Sequence, residues 1–326
     1  MLGIPRKPHY FHAEAHALAG KLSLPFDQEI KKQAFVKLEG SLADLTDEER
    51  AQRNYFSQHA KNFRLEGIIS YSAAHTQVTG HASKKHEGAS VTLATSVVED
   101  LNVLNVVTAD RVVAQISTTH FPDEQTPAVT FLGTHFENLR IARHRAEPYL
   151  KLDMASERPA GNDALHVDQG TAFMKAVEAQ YQRLRESLKG LGDGRKAMRL
   201  TDDDGSVLEK YHKFDLNYAD IKKQADAAKA NGSKWDGVTC SLVENVEIKD
   251  ISVKAADGKP IQIPPPGKSF GHVIHIPDFG NIFLAELTVN HNSFHLTMIR
   301  LELGCLADGA VSIVTCNVNG GTGGGH

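Results

Sequence analysis

The sequence predicts a mainly β protein, a sandwich or jelly-roll-like domain that a helical insertion interrupts. Three observations lead to this prediction. Polar and apolar residues alternate near the N-terminus, and strand-like segments bounded by turn residues recur in both halves. In one central region, apolar residues recur at helical spacing over a segment long enough to form a helix. We expect residues 1–158 and 237–326 to form the β domain and residues 159–236 to form the insertion.

Composition limits the classes of protein that need considering. The chain has 326 residues, 41% apolar and 23% charged, with a net charge of −4, which is typical of a globular protein. No basic stripe is present, so we expect no nucleic-acid partner. The N-terminus lacks the apolar core of a signal peptide, and no segment approaches the roughly 20 apolar residues of a membrane span. We therefore expect a cytoplasmic protein without a transmembrane segment, with export or surface association as the alternative.

The cysteines predict neither a disulfide framework nor a zinc knuckle. There are three of them, no C-x-x-C pair occurs, and we expect each to behave as a small apolar residue. They are Cys240, Cys305 and Cys316.

The N-terminal segment, residues 10–26, alternates with a period of two and predicts a strand. One side carries Ala13, Ala15 and Ala17, and the other carries His12, Glu14 and His16. Pro5 and Pro8 favour an extended lead into it. Two arrangements remain open, because such an arm can be donated to the sheet of a second copy or can pair within its own domain.

Beyond the arm, Thr46 and Glu49 have the spacing of a capping box, which predicts a short helix. Residues 91–117 then carry apolar residues on both faces, which is typical of strands covered on both sides, and we place a turn at 108–110.

The pattern apolar-Glu-Asn/Asp-apolar-x-apolar occurs at 98–103, 136–141 and 243–248. Its unequal spacing argues for recurrent strand–turn–strand units rather than a solenoid.

The central region predicts helices that lie over the β domain. A stripe at helical spacing runs from Thr171 to Gly190, a second helical segment ends at Gly232, and residues 201–206 form a polar turn between them. We expect the stripe to pack against a sheet, and it consists of Phe173, Val177, Tyr181, Leu184 and Leu188. The chain ends in a Gly-rich tail.

The segment PPPGKSFGHVIHIPDFG, residues 264–280, contains two motifs that are typical of active sites. Gly267-Lys268-Ser269 ends like a phosphate loop, but the first glycine of that motif is missing and a strand follows where a helix is required. Gly267-x-Ser269-x-Gly271 matches the nucleophile elbow of hydrolases, which lies between a strand and a helix. Because prolines precede Ser269 and a strand follows it, we interpret the segment as the start of a hairpin.

The alternative interpretation of this segment is a serine hydrolase. Ser269 would then be the nucleophile, and its base would be one of the histidines nearby in the sequence, namely His272, His275, His291 and His295.

Seventeen histidines also raise the question of a metal. Zinc requires three or four ligands that converge from rigid elements, and no H-E-x-x-H motif occurs. We expect no metal and no other cofactor. The alternative is a metal site built from His9, His12 and His16.

Four segments carry a resemblance to a known family, an uncharacterised family of bacterial β-rich proteins. They are FRLEGIISYSAAHTQVTG, VTLATSVVEDLNVLNVVTADRVVAQIS, VTFLGTHFENLRIA and GKSFGHVIHIPDFGNIFLAELTV with FHLTMIRLELGC. Residues 10–120 also resemble, more loosely, the β-rich repeats of choice-of-anchor P-type proteins, in which a strand pair like that of Leu101–Val112 recurs. Neither resemblance implies an activity.

Two classes of function remain from the sequence. The first is a non-enzymatic structural or binding protein, a homo-oligomer that associates through β edges, with any small-molecule ligand unknown. The second is the hydrolase based on Ser269. The β edges, the alternating N-terminal arm and the Gly-rich tail are all suited to association, and the sequence offers no converging catalytic set, so both points favour the first class.

Overall fold

The computed structural model describes residues 9–41, 46, 54–122, 124, 126–161, 165–168, 170–189, 237–290, 293–304 and 307–322. Within these ranges the chain forms antiparallel sheets and one helix, which confirms the mainly β fold. The elements in chain order are β1 His9–Leu24, β2 Gln28–Gln33, β3 Val36–Ser41, β4 Tyr55–Leu65, β5 Ile69–Ala82, β6 Ser90–Val103, β7 Val107–His120, β8 Ala128–Thr130, β9 His135–Glu137, β10 Arg140–Ile141, β11 His144–Leu150, α1 Ala172–Lys189, β12 Val238–Ser241, β13 Val243–Ile248, β14 Ile251–Lys254, β15 Pro260–Ile263, β16 Lys268–Phe270, β17 Val273–Ile276, β18 Gly280–Asn290, β19 Ser293–Leu303 and β20 Asp308–Thr322.

Two large sheets pack face to face. The first sheet has the order β16-β17-β18-β19-β20-β1-β2, with β12 paired to β18 and β3 paired to β1. The second has the order β13-β11-β10-β7-β6-β5-β4, with β8 and β9 paired to β7. Strands β1 and β20 lie over β5, β6 and β7, and their inward side chains form the core. A separate hairpin consists of β14 and β15.

The N-terminal strand β1 is an interior strand of its own sheet. It pairs with β20 along one edge and with β2 and β3 along the other. Ala13, Ala15 and Ala17 are fully buried, and their small size suits a place where the sheets approach closely. A Cβ on Gly80 of β5 would lie only 2.5 Å from the ring of Phe11. Of the two arrangements left open by the sequence, the structure contains pairing within the domain.

One row of residues in the first sheet departs from regular strand pairing without a shift of register. The regular ladder is interrupted where Ala17, Val314, Met298 and Ala285 lie side by side, and Ala285 and Val314 have positive φ values of 47° and 58°. The freed carbonyls find partners outside the ladder. The Ser96 hydroxyl of the second sheet donates to His16 O at 2.9 Å, and the Leu242 N–H donates to Ala285 O at 2.9 Å. The interruption therefore leaves neither of these two carbonyls unpaired.

The motif that recurs in the sequence marks a local irregularity of the backbone in the second sheet. In all three copies the Glu and the Asp or Asn are both exposed, and a buried residue follows. Asp100 and Asn138 achieve this with positive φ values of 52° and 49°, while Asn245 lies at a register shift between β13 and β11. Asp and Asn tolerate the left-handed conformation better than most residues. The motif thus encodes a change of side-chain face within a strand.

The turn predicted at 108–110 is wrong, because β7 already begins at Val107 and the turn lies at 104–106. The side chains of Asn102 and Asn105 determine its position. Asn102 Oδ1 accepts from the Asn105 N–H at 2.8 Å, and Asn102 Nδ2 donates to Asn105 Oδ1 at 2.8 Å. An Asn side chain that bonds the backbone of a following residue starts a turn, and this bond places the turn at 104–106 within a run rich in valine.

Helix α1 packs on the β domain as its stripe predicts. Thr171 caps it by accepting the Met174 N–H at 3.1 Å. The residues of the predicted stripe are all buried, at 0–6% exposure, namely Phe173, Val177, Tyr181, Leu184 and Leu188. The same face also buries Gln180, which clamps the helix to the link between β12 and β13. Its Nε2 donates to Ser241 O and Val243 O at 2.9 and 3.0 Å, and its Oε1 accepts the Ser241 N–H at 2.8 Å.

Replacing Gln180 with leucine is expected to lower the free energy of unfolding. The change leaves three buried backbone groups without their side-chain partner, and we expect a loss of about 2 kcal/mol from this cause. Gln182→Leu is the matched control, because Gln182 is exposed on the same helix. Urea unfolding of both variants measures the difference. Equal stability of the two variants would show that the clamp contributes nothing.

Several sequence predictions fall outside the described residues. They are the helix at Thr46–Glu49 beyond Thr46 itself, the polar turn at 201–206, the second helical segment ending at Gly232, Cys305, His291, and the tail beyond Thr322. The other two cysteines, Cys240 and Cys316, are fully buried, and burial raises the pKa of each thiol.

Candidate functional site

The outer face of the first sheet brings together polar residues that are far apart in the sequence. The ladder places His16 of β1 beside Thr315 of β20, and Thr315 beside Thr297 of β19. One row along, Glu14 lies beside Asn317, and Asn317 lies beside His295. We call this set the polar face: His16, Thr315, Thr297, Glu14, Asn317 and His295. The first and last strands of the β domain therefore meet at one surface.

Charges at the exposed end of the polar face form a mixed network around Glu14. Its carboxylate lies 3.2 Å from Lys32 Nζ, 3.8 Å from Lys37 Nζ and 3.8 Å from His12 Nε2. Lys37 also pairs with Glu39. These side chains are partly to largely solvated, and such pairs contribute little stability. The Glu14 carboxylate is therefore already paired with side chains from β1, β2 and β3.

His16 is the buried member of the polar face, with 8% exposure. Burial lowers the pKa of its imidazole to about 4; Lys32 and His295 lower it further, and Glu14 opposes them. His16 is therefore neutral near pH 7. A neutral imidazole next to threonine hydroxyls is a polar element of the sheet surface rather than a fixed positive charge.

A buried ion pair occupies the neighbouring part of the same face. Arg300 donates to both oxygens of the Glu286 carboxylate, with Nη2 at 3.0 Å from Oε1, and also to Glu302. Its guanidinium lies 3.5 Å over the ring of Phe283. Glu286 is only 4% exposed. Sequence reasoning missed this pair, although a glutamate within the apolar run NIFLAELTV was a usable signal of a buried charge that requires a partner.

The residues of the nucleophile-elbow motif lie in a β-hairpin. Ser269 is exposed in β16 and pairs with Ile274 of β17 across a two-residue turn. The local backbone geometry requires a glycine at both positions. A Cβ on Gly267 would lie 2.2 Å from His275 O, and Gly271 has a positive φ of 60° in the turn. The surroundings thus differ from the strand–helix elbow that exposes a nucleophilic serine.

The histidines proposed as bases for Ser269 are placed in different surroundings. His272 is buried in the turn itself, and His275 Nδ1 donates to Asn281 Oδ1 at 2.9 Å. His295 lies in the polar face, two strands further into the sheet. The serine hydrolase based on Ser269 stays a prediction.

The three histidines of the metal alternative do not converge. His12 and His16 lie on the outer face of β1, whereas His9 lies inward beside His120 of β7. In the part of the chain that the structure describes, no group of three or more His, Cys, Asp or Glu side chains is arranged to hold a metal ion.

Strand β4 lies at the end of the strand order of the second sheet. In the described ranges, β4 pairs with β5 on one side and with no strand on the other. The Gly80 N–H donates to Asn54 O at 2.9 Å. Because bonded pairs alternate in an antiparallel ladder, Phe56 and Gln58 also bond to β5, while the backbone groups of Tyr55, Ser57 and His59 point outward.

The first half of this edge is uncharged and carries aromatic side chains. Residues 55–60, which we call the Tyr55–Ala60 edge, contain no Asp, Glu, Lys or Arg. Tyr55 is 49% exposed and Phe56 is 38% exposed. The second half differs, since Lys61 and Arg64 carry charge and Asn62 has a positive φ of 54°. Charges and bulges are the usual means of protecting an edge strand, and the Tyr55–Ala60 edge lacks both.

Comparison with known proteins gives one match. The family model described as Domain of unknown function (DUF8256) matches residues 9–290. No curated protein and no solved structure matches the chain. Among the described residues, none of the helical structure has the length and apolar character needed to cross a bilayer.

Proposed function

This chain belongs to the DUF8256 family, and we propose that it is a non-enzymatic structural or binding protein whose copies associate through β edges. The observation that carries the proposal is the Tyr55–Ala60 edge, which presents outward backbone donors and acceptors without a charge or a bulge. Such an edge is a template for pairing with another strand.

A second copy of the same chain fits this edge by symmetry. Two β4 strands related by a two-fold axis at Ser57 run antiparallel, so that Ser57 lies opposite itself and Tyr55 lies opposite His59 of the other copy. No like charges meet within this pairing. Aromatic cross-strand pairs of this kind stabilise an antiparallel ladder. The pairing would continue the second sheet through both copies.

The polar groups described above support a structural role for the rest of the molecule. Arg300 and Glu286 bind each other, His275 binds Asn281, and Gln180 holds the helix to the sheet. These groups are engaged in maintaining the fold. The loose resemblance of residues 10–120 to choice-of-anchor P-type proteins stays a prediction, because the family match does not extend to them.

The edge is tested by Ser57→Pro with Gln58→Pro as the matched control. Ser57 points its N–H outward, so proline there removes an association donor and leaves the ladder to β5 intact. Gln58 bonds to β5, so proline there breaks a ladder bond. We expect the wild-type chain to associate at tens of micromolar in multi-angle light scattering, and Ser57→Pro to be a monomer with a melting temperature close to that of the wild type. We expect Gln58→Pro to melt at a clearly lower temperature.

Ser57→Lys provides a second variant that does not alter the backbone. It places like charges directly opposite each other on the two-fold axis, so association should weaken and partly recover in high salt. A monomeric wild-type chain at these concentrations, or association that both Ser57 variants leave unchanged, would refute pairing through this edge.

A further inference from the structure

Two histidines meet inside the sandwich near one end of its core. His9 lies at the start of β1 and His120 at the end of β7, and their ring centroids are 4.7 Å apart with planes inclined at 44°. His120 is 5% exposed. The ring of Phe11 packs against His9 edge to face at 4.6 Å. The pair joins the first sheet to the second and is largely shielded from solvent.

The polar atoms in this place lack partners. Nε2 of His9, Nε2 of His120 and the hydroxyls of Thr92 and Thr118 are buried without a hydrogen bond to any described residue. These four side chains are neighbours in the fold. Thr92 pairs with Thr118 in the β6–β7 ladder, His120 follows Thr118 by two residues on the same face, and His9 lies beside His120. Buried polar groups in native proteins are nearly always satisfied, by protein, by water or by an ion. A cluster of four such groups therefore indicates an occupant.

We propose that His9 and His120 bind one divalent transition-metal ion through their Nε2 atoms, with water ligands held by Thr92 and Thr118. Imidazole nitrogens are ligands for zinc, copper and nickel. Both imidazoles are neutral near pH 7, since burial lowers the pKa of His9 to about 4 and that of His120 to about 3, with His9 also lowering the latter. Neutral imidazole is the form that binds metals. The ion would link the first and second sheets at the start of β1.

The spacing of the rings favours one class of metal. A metal about 2.0–2.1 Å from Nε2 lies roughly 3.2 Å from the ring centroid. For an ion on which both Nε2 atoms converge, two centroids 4.7 Å apart subtend about 95°, close to the right angle of tetragonal coordination and below the tetrahedral angle. Square-planar and tetragonal sites of nitrogen and oxygen select Cu²⁺ and Ni²⁺. We therefore expect this site to bind Cu²⁺ or Ni²⁺ more tightly than Zn²⁺. The preference should be larger than the one that a tetrahedral site shows.

The test uses the full chain, freed of metal with a chelator and titrated with Cu²⁺, Ni²⁺ or Zn²⁺ alone. We expect one high-affinity site by calorimetry and a rise in melting temperature on binding. His120→Phe fills the same space without a nitrogen and should abolish the high-affinity site. His12→Gln is the control, since His12 is a partly exposed histidine of the same strand on its other face, and it should keep the site.

A spectroscopic measurement on the wild-type chain keeps the proposal open to refutation even if His120→Phe fails to fold. The electron paramagnetic resonance spectrum of the first Cu²⁺ equivalent should show two equatorial imidazole nitrogens. No stoichiometric binding by any of the three ions, or tight binding that survives in a His9→Gln/His120→Gln variant, would overturn the proposal. In the first of these cases the four polar groups are satisfied by buried water.

Discussion

Replacing Arg300 with methionine is expected to lower the free energy of unfolding by about 3–5 kcal/mol. This is the cost of removing one partner of a buried ion pair and leaving the other charge buried without a counter-charge. The Glu286 carboxylate, 4% exposed, loses the guanidinium that donates to both of its oxygens. The packing of Arg300 on Phe283 is lost in the same variant. Urea or thermal unfolding measures the change.

Two further variants separate the charge from the packing. Glu286→Gln/Arg300→Met removes both charges and should recover much of the stability lost by Arg300→Met alone, because no buried carboxylate remains without its partner. Arg300→Lys keeps the charge but cannot form the two parallel hydrogen bonds, so an intermediate loss is expected. If Arg300→Met unfolds at the same urea concentration as the wild type, the ion pair does not stabilise the fold.

The protein is expected to lose stability as the pH falls from 7.5 to 5, and His16 is one identifiable cause. Its pKa is about 4 in the folded chain and 6.5 in the unfolded chain. Above pH 6.5 His16 is neutral in both states, and the free energy of unfolding is not reduced by its titration. As the pH falls towards 4 the free energy of unfolding decreases, because His16 binds a proton in the unfolded chain and stays neutral in the folded chain. At pH 5 the loss from this residue is about 2 kcal/mol. His166, whose pKa burial also lowers, acts in the same direction.

The contribution of His16 is isolated by comparing His16→Gln with the wild type at both pH values in metal-free buffer. The stability difference between the two proteins should shift by about 2 kcal/mol in favour of the variant on going to pH 5. Glu14, Lys32 and His295 face His16 and remain in place in this comparison. His12→Gln, at a partly exposed site of the same strand face, is the matched control for the histidine-to-glutamine change itself. A His16→Gln stability difference that does not vary with pH would contradict the assignment.

Local patterns in the sequence were sufficient for much of the fold. Alternation in residues 10–26 identified β1, and the stripe from Phe173 to Leu188 identified α1 and its buried face. Both signals are periodicities set by backbone geometry, and burial of one face enforces them. The hairpin around Ser269 was also predictable, because prolines before it and a strand after it exclude the elbow conformation.

Other features could not be predicted from local patterns. The Glu-Asn/Asp motif repeats visibly in the sequence, but the change of side-chain face that it produces depends on φ at Asp100 and Asn138. The same holds for the partners of Gln180 and Glu286, which lie in strands far away in the sequence. Burial determines whether such a polar residue must have a partner, and burial is a property of the packed sheets.

The sequence by itself determined the β class, the place of the helix and the alternation of β1, because each depends on the conformation of a few consecutive residues. The tertiary structure alone decided that β1 is an interior strand, that β4 is an edge strand among the described residues, and that His9 meets His120 rather than His12 and His16. Strand order and register are contacts between distant segments, and many orders satisfy the same alternation. Only the packing of both sheets around one core selects among them.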